Sequence, residues 1–266
     1  MTETTTSTNH VNAAFNKGHT AFMPYYTLGY PDQVKSLDII EACANNGADL
    51  MELGIPFSDP LADGPTIQHS TQTALQNGIT VEKCLESVAA LRSRGLGIPF
   101  MLMGYYNPIL AYGLERFTRD AHQSGADGFI IPDLPPEEAG PMMGLCEELD
   151  LAMTFLLAPN SPQERIQEVV QVNTGFIYLV SVTGITGARD SLPEDLEQFI
   201  GRVRGYSRQP IAVGFGISNP DQAKMVGKLA DGVIVGSALI KATNEADNPV
   251  KAAGDFVHAM VQAMRS

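Results

Sequence analysis

Short apolar runs return along the chain, separated by segments of helical spacing. The runs are Thr20–Thr27, Leu50–Gly54, Pro99–Tyr105, Gly128–Ile131, Ala152–Leu157, Phe176–Ser181, Ile211–Gly214 and Gly232–Gly236. Most lack polar alternation, which is the pattern of strands buried on both faces of a parallel sheet. The segments between them predict helices. Thr80–Gly95 opens on a capping Thr with Glu82 close behind, carries apolar residues at positions 81, 85, 88 and 91, and stops at Gly95. Ser161–Gln171 sets Ser before Pro at its first turn, and Asn219–Ala230 opens with an Asn cap and a Pro start.

Eight strand runs alternating with helices predict an α/β fold: a (βα)8 TIM barrel, one domain over residues 16–266. Residues 1–15 read as a flexible, polar, Thr-rich tail. A doubly wound sheet is the alternative, but it calls for an early strand–GxGxxG–helix unit. The one near-match, Gly214–Asn219, comes late and lacks the third glycine. Ala-Asp recurs just before three of the runs, at Asp49, Asp127 and Asp231. These aspartates read as structural residues of tight helix-to-strand turns at the bottom of the barrel.

Composition narrows the partners. The formal net charge of −13 argues against a nucleic-acid footprint and against attraction to an anionic membrane. Cys43, Cys84 and Cys146 fall in helical segments without C-x-x-C spacing, as reduced thiols used as small hydrophobes would. No apolar run is long enough for a membrane span, and the N-terminus lacks the basic start and apolar centre of a secretory signal. A cytoplasmic location is expected.

In a barrel, chemistry sits at the C-terminal ends of strands and in the loops that follow. Glu52 interrupts an apolar strand run, where a charge is uncommon without a purpose. It reads as a catalytic carboxylate or as half of a salt bridge inside the barrel. Asp63 and Asp59, in the Gly- and Pro-rich stretch that follows, read as turn residues when taken alone. After strands seven and eight come Gly216 and the Gly236-Ser237 pair, suited to a phosphate held by backbone N–H groups. Neither stretch holds a basic residue. The Gly-rich segment Ser181–Pro193 reads as a loop able to close over a ligand. The five histidines are scattered, so no metal site is expected, and no strand run carries a lysine for a Schiff base. Carboxylate acid–base chemistry on a phosphorylated small molecule is what remains.

The motifs "MPYYTLGYPD", "ADLMELGIPFSDPLADGPTIQ", "YYNPILAYG", "GFIIPDLPPEE", "FIYLVSVTGITGAR", "VGFGIS" and "VIVGSALI" span most of the chain and resemble the tryptophan synthase alpha subunit family. Ile185 stands where many members carry Val. The resemblance implies a (βα)8 barrel that cleaves indole-3-glycerol phosphate to indole and glyceraldehyde 3-phosphate. It implies no cofactor in this chain, and a pyridoxal-phosphate-dependent beta subunit as partner in an alpha2beta2 heterotetramer. By position in the motifs, Glu52 matches the general acid/base, and Asp63 the carboxylate that stays charged beside the indole N–H. Tyr178 and Thr186 match residues around the substrate and the mobile loop. Gly187, Gly216, Gly236 and Ser237 match the phosphate cradle, and Tyr25, Met103, Ile130, Leu156 and Phe215 the apolar indole pocket. Asp59, Tyr105, Asn107 and Pro135 lie in loops used for closure or for the partner. A non-catalytic partner of another enzyme and a stand-alone indole-forming lyase are the competing readings.

Overall fold

A computed structural model describes residues 7–180, 195–214 and 216–266. The strands are β1 (Ala21–Thr27), β2 (Met51–Gly54), β3 (Phe100–Met103), β4 (Gly128–Ile130), β5 (Ala152–Thr154), β6 (Leu156–Leu157), β7 (Ile177–Val180), β8 (Ile211–Gly214) and β9 (Gly232–Val235). The helices are α1 (Ser7–Ala14), α2 (Gln33–Asn45), α3 (Pro65–Gln76), α4 (Val81–Ser93), α5 (Tyr106–Tyr112) and α6 (Leu114–Ser124). Then come α7 (Gly140–Leu149), α8 (Gln163–Val172), α9 (Asp195–Arg204), α10 (Pro220–Gly227), α11 (Ser237–Asn244) and α12 (Pro249–Arg265).

All pairings are parallel, in the order β5-β4-β3-β2-β1-β9-β8-β7-β6. β5 and β6 are neighbours in the chain with Phe155 alone between them, so the two ends of the sheet meet and the sheet closes into the expected barrel. The run Ala152–Leu157 was expected as one strand and is two. The reason is local: side chains take the place of the backbone ladder. Thr174 Oγ1 accepts the Met153 N–H at 2.8 Å and Asn173 Oδ1 accepts the Phe155 N–H at 2.9 Å.

Two layers of apolar side chains result from the two-residue period of the strands. One lies between sheet and helices and includes Phe22, Leu53, Phe100, Phe129 and Val233. The other fills the barrel, from Met23, Leu50, Met101, Ile130, Phe176, Tyr178 and Ile234. Cys43, Cys84 and Cys146 are buried free thiols on α2, α4 and α7.

The Ala-Asp turns are structural, as expected. Asp49 donates its N–H to the Phe22 carbonyl at 2.9 Å and its carboxylate accepts the Phe22 N–H at 3.0 Å. Asp127 pairs with Phe100 in the same reciprocal way, at 2.9 and 2.7 Å, and Asp231 with Ile211 at 2.9 and 2.8 Å. Each clamp joins a strand to the one before it at the barrel floor. Each carboxylate also takes an arginine: Arg265 at 3.0 Å for Asp49, Arg92 at 2.6 Å for Asp127 and Arg204 at 2.9 Å for Asp231.

Two local expectations need correction. The tail expected over residues 1–15 is a helix from Ser7: Val11 and Ala14, one turn apart, are buried beneath the barrel, and Phe15 packs on Phe176 at 5.5 Å between ring centroids. His10 secures it, with Nδ1 at 2.8 Å from Asp127 and Nε2 at 2.8 Å from the Gly97 carbonyl. Ser161 does not cap α8. Pro162 holds the cap position, and Ser161 Oγ instead accepts the Ala158 N–H at 3.0 Å. The caps Thr80 on α4 and Asn219 on α10 form as expected.

Candidate active site

Glu52 is the middle of the site. It lies on β2, in register with Tyr25 on β1 and Met101 on β3, and like Leu50 points into the barrel. It is fully buried, and neither of its carboxyl oxygens has a hydrogen-bond partner among the described residues. Desolvation therefore pushes its pKa up to about 8. Among the described residues these unpartnered oxygens leave Glu52 without a salt bridge.

Asp63 stands just before α3, which opens on Pro65 at its first turn. The site differs here from the expectation of a fully charged carboxylate in a polar loop. Burial pushes Asp63 up to about 6, and the neighbouring Tyr105 hydroxyl holds it back from rising further. It is predominantly charged at neutral pH. Tyr105 Oη also accepts the Ala62 N–H at 2.9 Å, and its ring packs on Phe57 at 5.4 Å.

Two tyrosines complete the interior. Glycine makes room for both: a side chain at Gly54 would collide with the Tyr25 hydroxyl, and a Cβ at Gly214 would lie 2.7 Å from the Tyr178 ring. Tyr178 is buried, its pKa raised well above the ordinary value by desolvation and then by the charges of Glu52, Tyr25 and Asp63. Glu52, Asp63, Tyr25 and Tyr178 thus face one another across the barrel. Met103, Ile130 and Leu156 lie at the same end, on β3, β4 and β6, with Ile130 fully buried and the other two half-buried.

On the neighbouring staves β8 and β9 the glycine loops take up positions suited to an anion. Gly216 has φ +68° and open space where a side chain would stand. Gly236 caps α11, which Ser237 begins, so the first N–H groups of α11, unpaired within the helix, face the end of the barrel. Asp59 is exposed and bonded to Ser58 at 2.6 Å, Asn107 is exposed on α5, and Pro135 precedes a short 3-10 turn, Pro136–Glu138. Thr186, Gly187 and Phe215 lie outside the described residues, as does all of Ser181–Pro193.

Sequence reasoning missed Thr27 and Ser70. Both are fully buried and linked at 2.7 Å beside Tyr25. The signal for Thr27 was parity: a polar residue two positions beyond Tyr25 shares its inward face. Ser70 had none, because its helix has polar residues on both sides.

A closed parallel barrel with a protonatable carboxyl buried at a strand end, and glycine loops on adjacent staves, defines a TIM-barrel enzyme. The model of the tryptophan synthase alpha chain family matches residues 11–266, and the chain belongs to that family. It is a carbon–carbon lyase that cleaves indole-3-glycerol phosphate to indole and glyceraldehyde 3-phosphate in tryptophan biosynthesis. It is 50% identical over 246 residues to the tryptophan synthase alpha chain of Roseiflexus castenholzii, covering 91% of this chain and 94% of the relative. The alpha chain of Dehalococcoides mccartyi is 48% identical over 256 residues, covering 96% and 99%. Among solved structures, tryptophan synthase of Mycobacterium tuberculosis superposes with a TM-score of 0.90 at 36% identity, covering 96% and 98%. The alpha chain of Legionella pneumophila gives 0.89 at 34%, covering 96% and 97%.

Proposed function

We propose that Glu52 and Asp63 carry the cleavage as a pair with divided roles. Glu52 in its acid form protonates indole C3, which turns the ring into an electron sink. As the bond from C3 to the glycerol carbon breaks, its electrons return to the indole and the adjoining hydroxyl loses its proton to the Glu52 carboxylate. The products are indole and the aldehyde. Asp63 accepts the indole N–H and stabilises the positive charge that develops on the ring. The two environments set the pKa values apart, Glu52 at about 8 and Asp63 at about 6, so one is proton donor while the other is anion near neutral pH.

The observation that carries this reading is the fully buried Glu52 carboxyl without a hydrogen-bond partner among the described residues. Tyr25, Met103, Ile130, Leu156, Tyr178, Thr186 and Phe215 enclose the indole, and Gly187, Gly216, Gly236 and Ser237 hold the phosphate through backbone N–H groups. The reaction on this chain uses no cofactor. The partner is a pyridoxal-phosphate-bearing beta chain in an alpha2beta2 assembly in the cytoplasm, docked over the loops of Asp59, Tyr105, Asn107 and Pro135. Leu61, 94% exposed on the Asp59 loop, supports such a docked partner. Among the described residues no helix is long and apolar enough to cross a membrane. The test is Glu52→Gln: turnover of indole-3-glycerol phosphate falls by ~10²–10⁴ while ligand binding persists. Retention of a tenth of wild-type turnover removes Glu52 from the chemistry.

A further inference from the structure

Thr27 ends β1 and is fully buried. Its Oγ1 lies 3.3 Å from the Tyr25 hydroxyl and 2.7 Å from Ser70 Oγ, and Ser70 Oγ donates to the Ile67 carbonyl at 2.8 Å. This is a chain of three hydroxyls with three protons, ending on a carbonyl, which only accepts. One arrangement satisfies every contact: Ser70 donates to Ile67, Thr27 to Ser70, and Tyr25 to Thr27. The Tyr25 proton is therefore directed along β1 onto Thr27 and not onto Glu52, the register partner of Tyr25 on β2.

A carboxylate buried without donors is costly, whereas a neutral acid is tolerated. We propose that Thr27 and Ser70 are positioning residues, forming a hydroxyl relay that withholds the Tyr25 proton from Glu52 and so keeps the buried carboxyl a proton donor. The inference rests on the reading of Glu52 as the acid. Among the described residues the other titratable groups facing this space are Tyr178 from β7, Asp63 after β2 and Tyr105 after β3. They are the same in the wild type and in the relay variants.

The relay predicts a sign. Thr27→Val keeps the shape but removes the acceptor, freeing the Tyr25 proton to stabilise a Glu52 carboxylate. The Glu52 titration midpoint, read from the carboxyl carbon shift of the Glu-labelled full chain, should fall by about one unit, a tenfold change in ionisation. The pH profile of kcat/KM for indole-3-glycerol phosphate should follow it. In Thr27→Val/Tyr25→Phe the fall should vanish, and Thr27→Ser should keep the wild-type midpoint. Ser70→Ala opens the relay at its far end and should shift the midpoint in the same direction, which provides the measurement if Thr27→Val does not fold. An unchanged midpoint in a folded relay variant, or an equal fall in the double variant, overturns the relay. A midpoint that falls while the kcat/KM profile stays fixed supports the relay and removes Glu52 from catalysis.

Discussion

The Tyr105 hydroxyl accepts the Ala62 N–H at 2.9 Å and, standing next to Asp63, lowers the pKa of its carboxyl. One side chain from the end of the third strand thus sets both the position and the charge of a carboxylate in the loop after the second.

Removing that hydroxyl should make Asp63 harder to ionise. The Tyr105 hydroxyl lowers the Asp63 pKa, so Tyr105→Phe should raise it above about 6 and move the acid limb of kcat/KM to higher pH. Asp63→Asn should abolish that limb and reduce turnover strongly, with the fold intact by circular dichroism. A limb unmoved by Tyr105→Phe would detach it from Asp63.

Glu52 should destabilise the fold as pH rises. Its folded pKa is raised from 4.5 to about 8, so the folded state holds a proton that the unfolded chain releases. The sign follows from linkage: stability is greatest below 4.5 and is lost as pH rises toward 8, by up to ~1.4 kcal/mol per unit across that window. Glu52→Gln lacks this proton. Its Tm advantage over wild type should be smallest near pH 5, grow to pH 8 and level off above. Parallel Tm curves would show that Glu52 is already charged in the folded state.

The N-terminal helix should loosen at alkaline pH. Both ring nitrogens of His10 face acceptors, the Asp127 carboxylate and the Gly97 carbonyl, an arrangement suited to the doubly protonated ring. Its pKa is raised, chiefly by the bond to Asp127. A raised histidine contributes fully below its unfolded value of 6.5 and loses that contribution as pH rises through the folded one. Amide exchange over 10–15, corrected for intrinsic rates, should therefore accelerate on going from pH 6 to 8 in wild type and stay constant in His10→Gln. His10 is partly exposed, so the accompanying change in Tm should be on the order of 2 °C or less.

The floor clamps should rank by burial. Asp127→Ala strands the Phe100 N–H, removes the carboxylate partner of the partly buried Arg92 guanidinium and releases His10 Nδ1, and should cost roughly 2–4 kcal/mol in urea unfolding. Asp49→Ala should cost a similar amount. Asp231, whose side chain is 36% exposed against 8% for Asp127, can exchange its partners for water and should cost about 1 kcal/mol. Equal losses at Asp127 and Asp231 would contradict the ranking.

Strand positions were legible in the sequence because a strand buried on both faces must be apolar throughout, and a single charge in such a run, Glu52, stands out against it. Caps at Thr80 and Asn219 and the Ala-Asp turns were legible because their bonds reach neighbouring backbone or a fixed position on the next stave. The split at Phe155 and the helix from Ser7 were not: one depends on side chains twenty residues away, and the other on a surface that exists only once the barrel has closed. The site follows the same division. The candidacy of Glu52 and Asp63 for the chemistry could be read from their setting in the motif. The rise of Asp63 on burial, the Tyr105 hydroxyl that offsets it, and the hydroxyl chain from Tyr25 through Thr27 to Ser70 required the tertiary structure. Desolvation and hydrogen-bond direction depend on which atoms surround a group in space, and those atoms come from strands and loops far apart in the chain.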